Sequence, residues 1–196
     1  MKSILSAEVK DFKVNSGSSV YIRWGRRKCP DNDTDTVYTG IMGGGRYDES
    51  GSITNYLCLP MEPLWDSNGV HSPHVGYVYG TEYETFEASY LSELQNQEAP
   101  CVVCKVRGRH VMMVPARNQC FHGWRLEYSG HLMAEHHTHK GNKEAICVDG
   151  APEITDKSIG ADQNGALLYF VQAKCGSLKC PPYEEDKALS CAICSI

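Results

Sequence analysis

The chain has 196 residues, a mass of 21.8 kDa and a formal net charge of −5. Its 41% hydrophobic and 22% charged residues are ordinary globular composition, enough for one or two domains with a buried core, and argue against intrinsic disorder. The acidic balance argues against a nucleic-acid partner, since the one basic run, Arg23 to Lys28, is short, and no apolar run approaches the roughly 20 residues needed to span a bilayer.

In chain order, residues 3–14 carry Leu5, Val9 and Phe12 at i, i+4, i+7, one amphipathic stripe that is marginal as an isolated helix. Glu8, Lys10 and Asp11 interrupt its apolar content, so it does not read as a signal peptide. The expectation is either a cytosolic chain or a mature or trimmed secreted one. Ser16-Gly17-Ser18-Ser19 reads as a flexible linker. Strands are expected over Val20 to Trp24, Val75 to Tyr83, Val102 to Val106, His110 to Val114 and Leu167 to Val171, all rich in β-branched and aromatic residues. Gly43-Gly44-Gly45, Ser67-Asn68-Gly69, Gly141-Asn142 and Pro181-Pro182 read as turns. Helix is scarce: besides the marginal helix of the 3–14 stripe, Ser89 to Gln97 is a short candidate, with Ser89 as its cap.

Ten cysteines run from end to end: Cys29, Cys58, Cys101, Cys104, Cys120, Cys147, Cys175, Cys180, Cys191 and Cys194. Eight of them fall into two series. Cys29 to Cys58 spans 29 positions and Cys120 to Cys147 spans 27; Cys58 to Cys101 spans 43 and Cys147 to Cys191 spans 44. Each series ends in C-x-x-C. Tyr38-Thr39-Gly40 follows Cys29 much as Tyr128-Ser129-Gly130 follows Cys120. The pattern implies a tandem duplication: an N-terminal segment and linker over 1–19, a first β repeat over 20–107 and a second over 108–196. The expected fold is mainly β, two disulfide-rich subdomains with pseudo-two-fold symmetry and little helix. Cys175 and Cys180 have no counterparts in the first repeat and are expected to pair with each other. A cysteine load of this kind points to a secreted, extracellular chain. Asn32-Asp33-Thr34 is the one glycosylation sequon, with Asn32 as acceptor.

The run Pro100 to Cys104, followed by Met112 to Ala116, Cys120, Gly123-Trp124 and Tyr128-Ser129-Gly130, resembles the junction between the two repeats of the C-terminal non-collagenous domain of type IV collagen. A closer resemblance is to the C-terminal domain of sponge short-chain, spongin-type collagens and related secreted invertebrate proteins. It rests on Tyr21 to Arg26, Cys29-Pro30, Leu57 to Pro60, Tyr79-Gly80, Glu82-Tyr83, Pro100 to Cys104, Ala134 to His136 and Cys180 to Glu184, and covers residues 20–195. The resemblance implies nested pairing: Cys29–Cys104 and Cys58–Cys101, then Cys120–Cys194 and Cys147–Cys191, with Cys175–Cys180 as a small loop. It also implies a trimer that sets collagen register. No Gly-X-Y repeat is present here, so the chain is not itself collagen.

Several chemistries remain to weigh. A redox C-x-x-C opens a helix, but Cys101 is followed by strand-forming residues and Cys194 by only two residues. Structural zinc through the C-x-x-C pairs is disfavoured by the 90 positions between Cys101 and Cys191. Glu135-His136-His137-Thr138-His139 is more open. On a strand, His137, His139 and Glu135 would share a face, and His136, His137 and His139 would suit Zn²⁺, Cu²⁺ or Ni²⁺. Alternatively the stretch is a polar loop of solvated or proton-sensitive histidines. Aromatics including Tyr21, Trp24, Tyr38, Tyr77, Tyr83 and Tyr128 would offer sugar-stacking planes in a lectin, or fill a small core in each repeat. The leading expectation is a secreted, non-enzymatic extracellular-matrix or assembly module, a homotrimer or larger, whose partners are its own copies, collagen, other matrix components or glycans. The alternatives are a lectin-like or histidine-cluster metal-binding protein, and third a secreted enzyme on the same scaffold.

Overall fold

A computed structural model describes residues 17–30, 33–66 and 74–196. The stripe at Leu5, Val9 and Phe12, the Ser67-Asn68-Gly69 turn and Asn32 lie outside the described residues.

The fold is mainly β, with ten strands: β1 (Ser18–Trp24), β2 (Thr34–Gly44), β3 (Leu57–Pro60), β4 (Tyr79–Tyr83), β5 (Pro100–Arg107), β6 (Val111–Pro115), β7 (Arg125–Ala134), β8 (Ile146–Asp149), β9 (Ala166–Phe170) and β10 (Ser190–Ser195). β5 runs antiparallel between β1 and β2, and β2 also pairs with β3 and β4. β10 runs antiparallel between β6 and β7, and β7 also pairs with β8 and β9. Parallel contacts join the two sets, Trp24 beside Val148 and Thr81–Tyr83 beside Ala166–Leu168.

Side-chain alternation explains the C-x-x-C spacing. Residues three apart on a strand face opposite ways. Cys101 therefore joins Cys58, Trp24 and Tyr83 in one apolar cluster, while Cys104 joins Cys29, Tyr21 and Val102 in another. Five disulfides connect Cys29–Cys104, Cys58–Cys101, Cys120–Cys194, Cys147–Cys191 and Cys175–Cys180. One C-x-x-C thus fastens both faces of its strand.

Four expectations about packing and elements change. The apolar clusters are not private to each repeat: Trp24, Met42 and Tyr83 pack with Met133, Ile146, Val148 and Leu168 in one cluster. Five strands alone leave their apolar face uncovered, so the faces of the two sets cover each other. Gly43-Gly44 is no turn but the end of β2, where Gly43 lies opposite Gly80 and Gly44 opposite Tyr79. Residues 89–94 form a kinked 3₁₀ helix whose cap is Ala88, without a side-chain cap bond. Val75 to Val78 is outside the strand that begins at Tyr79.

Candidate functional site

The basic run is consumed in holding the two halves together. Arg23 reaches Asp149 with two nitrogens, each at 2.8 Å, and the pair is largely buried. Arg26 donates to Ala151 O at 2.7 Å and pairs with Glu153. Arg27 pairs with Glu153 and Asp156. The Gly25 carbonyl accepts from Glu153 N–H at 2.7 Å. Alongside, Tyr21 packs on Tyr128 with ring centroids 6.2 Å apart, and the Tyr128 hydroxyl reaches Ile22 O at 3.1 Å. Residues 149–153 are thereby seated against the first half. The sequence shows four cations in this run; nothing in it marks their partners more than 120 positions away.

In the first half, the segment after Cys58 matches the one after Cys147 in its offset from the cysteine, yet among the described residues it carries the two most exposed large apolar side chains, with Met61 exposed beside them. Leu64 is 99% exposed, Trp65 85% and Met61 64%. Val37 and Tyr38 on β2 are also exposed, while Tyr128 on β7 is buried. On the second half, Ala116, Arg117, Phe121, Pro182, Tyr183 and Leu189 line an open cleft of 580 Å³. Ala116, in the turn after β6, has φ +59, and Gly25, in the turn after β1, has φ +80.

The histidine cluster is a turn rather than a strand. β7 ends at Ala134, and His139 N–H donates to His136 O at 3.0 Å. The chain leaves the sheet because Glu135 is drawn inward. Its carboxylate accepts from Lys143 Nζ at 2.9 Å, Leu167 N–H at 3.2 Å and His139 Nδ1 at 2.9 Å. His136 lies 4.3 Å from His137 and 5.2 Å from His139, centroid to centroid, with Tyr169 against both His136 and His139. Burial, then the charges of His137 and His139, push the His136 pKa below its usual 6.5. Tyr47, from the first half, packs edge-on against His139.

A second acidic group escaped sequence reasoning. Glu82, Glu84 and Asp162 bring carboxylate oxygens within 4.8 Å of one another. Glu82 accepts from Gln163 and Asn164 N–H, Glu84 from Gln95 Nε2, and Asp162 from Asn164 Nδ2. Burial is the main cause raising the pKa of both glutamates. Asp162 comes from a distant loop, so no local spacing announces the group.

All ten cysteines are in disulfides, which leaves no thiol for exchange chemistry or zinc. Tyr21, Trp24, Tyr83 and Tyr128 are buried and are not stacking surfaces; Tyr77 is exposed. Ser195 donates to Glu127 at 2.5 Å, but it is 1% exposed and Arg109 closes over the pair, which makes a structural clasp rather than a nucleophile. No family model matches the chain.

Proposed function

We propose that this is a secreted, non-enzymatic matrix or assembly module that associates head to tail with copies of itself. The five disulfides are compatible with an oxidising, extracellular setting. Among the described residues no helix is long and apolar enough to cross a membrane. The resemblance to the C-terminal domain of short-chain collagens favours a matrix role and a trimer or larger.

One observation carries the reading. Residues 149–153 of the second half are docked on Gly25 and Arg26 of the first, whereas the corresponding residues 61–64 of the first half make, among the described residues, no such hydrogen bonds or ion pairs. We read the halves as a tandem duplication. The matching seat is then the turn at Ala116 and Arg117 on the second half, beside the cleft lined by Phe121 and Tyr183. One chain cannot fill its own cleft with its own segment if the junction between halves is already made. A second copy fills it, and repetition of such a heterologous contact gives a ring where its rotation closes and an open filament where it does not. Leu64 and Trp65 are the apolar anchors, and burying them removes an exposed patch of the kind that marks interfaces.

Sedimentation velocity on the oxidised protein tests this. Wild type is expected to run as an oligomer, and Leu64→Ser/Trp65→Ser as a single chain with unchanged circular dichroism. An oligomer unaffected by the double substitution would refute the assigned surface.

A further inference from the structure

We propose that His136, His137 and His139 form a binding site for one divalent transition-metal ion of the Zn²⁺ or Cu²⁺ class. The ring spacing suits it. A metal–nitrogen bond is about 2.0–2.1 Å, so imidazoles sharing one tetrahedral ion place their ring centres roughly 5 Å apart. The observed separations from His136 are 4.3 Å and 5.2 Å.

The surroundings also favour it. Ligating histidines commonly give their second nitrogen to a carboxylate that fixes the ring. Glu135 does this for His139: its side chain is 2% exposed, it is held by Lys143 and the Leu167 amide, and it takes the Nδ1 proton. That leaves Nε2 of His139 with the lone pair. Nδ1 of His136 accepts from the Thr138 amide at 3.3 Å and lies 2.9 Å from the Thr138 hydroxyl. Ligation through Nε2 uses the other tautomer, in which Nδ1 gives up the amide and donates to that hydroxyl. His137 is exposed, its ring 4.3 Å from that of His136, and in the proposed site it swings to supply the third nitrogen. The adjoining cleft of 680 Å³ is lined by Glu84, Glu87 and Asp186 against one cation, Lys174, as well as by His136 and His137, an acidic balance that favours cations. Among the described residues, the acidic group at Glu82 has its oxygens already converged, but they are taken up by backbone and amide donors.

The test is isothermal titration of the untagged, oxidised protein with ZnCl₂ and, separately, CuCl₂. One ion per chain is expected. His137→Ala, at an exposed position, and His136→Ala/His139→Ala are each expected to weaken binding about tenfold or more. His131→Ala, which alters a ring packed on Phe170 away from the turn, is expected to leave it unchanged. No saturable binding of either ion, or equal affinity in the His136→Ala/His139→Ala protein, would overturn the proposal.

Discussion

The hydroxyl of Tyr128 donates to the carbonyl oxygen of Cys147 at 2.9 Å. In the first half Tyr38 makes the same contact with Cys58 O, also at 2.9 Å. Each tyrosine ties the strand beside C-x-x-C to the strand bearing the second cysteine. Tyr128 is buried and also serves Ile22 O, whereas Tyr38 is exposed. Tyr128 shares its one proton between two carbonyls in a buried setting, so Tyr128→Phe is expected to cost about 2 kcal/mol, and Tyr38→Phe less than about 1 kcal/mol. Urea unfolding with intact disulfides measures both.

The glycine two residues later has its own steric reason. A Cβ on Gly40 would stand 2.1 Å from Leu59 O, and one on Gly130 only 1.9 Å from Val148 O. Gly40→Ala and Gly130→Ala must therefore push paired strands apart, with an expected loss of about 3 kcal/mol. Gly51→Ala, where a Cβ meets nothing within 4 Å, is the control and is expected to be near neutral. Thermal unfolding of the three variants side by side decides the matter.

Arg23 and Asp149 are coupled across the halves. Removing one partner leaves a poorly solvated charge. Arg23→Met and Asp149→Asn are each expected to destabilise by about 3 kcal/mol, and the double variant by less than their sum. Strict additivity in the cycle would mean the pair does not act as one.

Burial raises the pKa of Glu84 above its ordinary 4.5. In the window above 4.5 the folded state binds more protons than the unfolded chain, so this group's contribution falls as pH rises through it. Glu84→Gln removes that penalty. Its melting temperature relative to wild type is expected to improve from pH 4 to pH 7, and a constant difference would contradict the assignment.

Disulfide removal should follow loop length. Cys29–Cys104 spans 75 positions and Cys175–Cys180 only 5. Replacing the first pair by Ser is expected to cost about 4 kcal/mol, and the second about 2 kcal/mol. Guanidinium midpoints of the two variants compare them.

The β class and the cysteine registers were legible because a strand's period and a covalent spacing are local properties. The nested pairing came through resemblance, and its physical cause, opposite faces of one strand, is already implicit in the odd spacing of Cys101 and Cys104. The two longest strands, β2 and β7, were not foreseen. Glycines Gly40, Gly43 and Gly130 lower strand propensity, and only the close approach of Leu59 and Val148 explains them. The partners of Arg23, Arg26 and Arg27, and the meeting of Asp162 with Glu82, depend on chain segments far apart in sequence. Likewise the inward turn of Glu135, which ends β7 and gathers the histidines, depends on Lys143 and the Leu167 amide.

The mass of the oxidised protein in solution, by light scattering across a concentration series, tests most directly whether the seat at Ala116 is filled by another chain. Three or more chains of 21.8 kDa per particle are predicted. One chain per particle at every concentration would contradict the account.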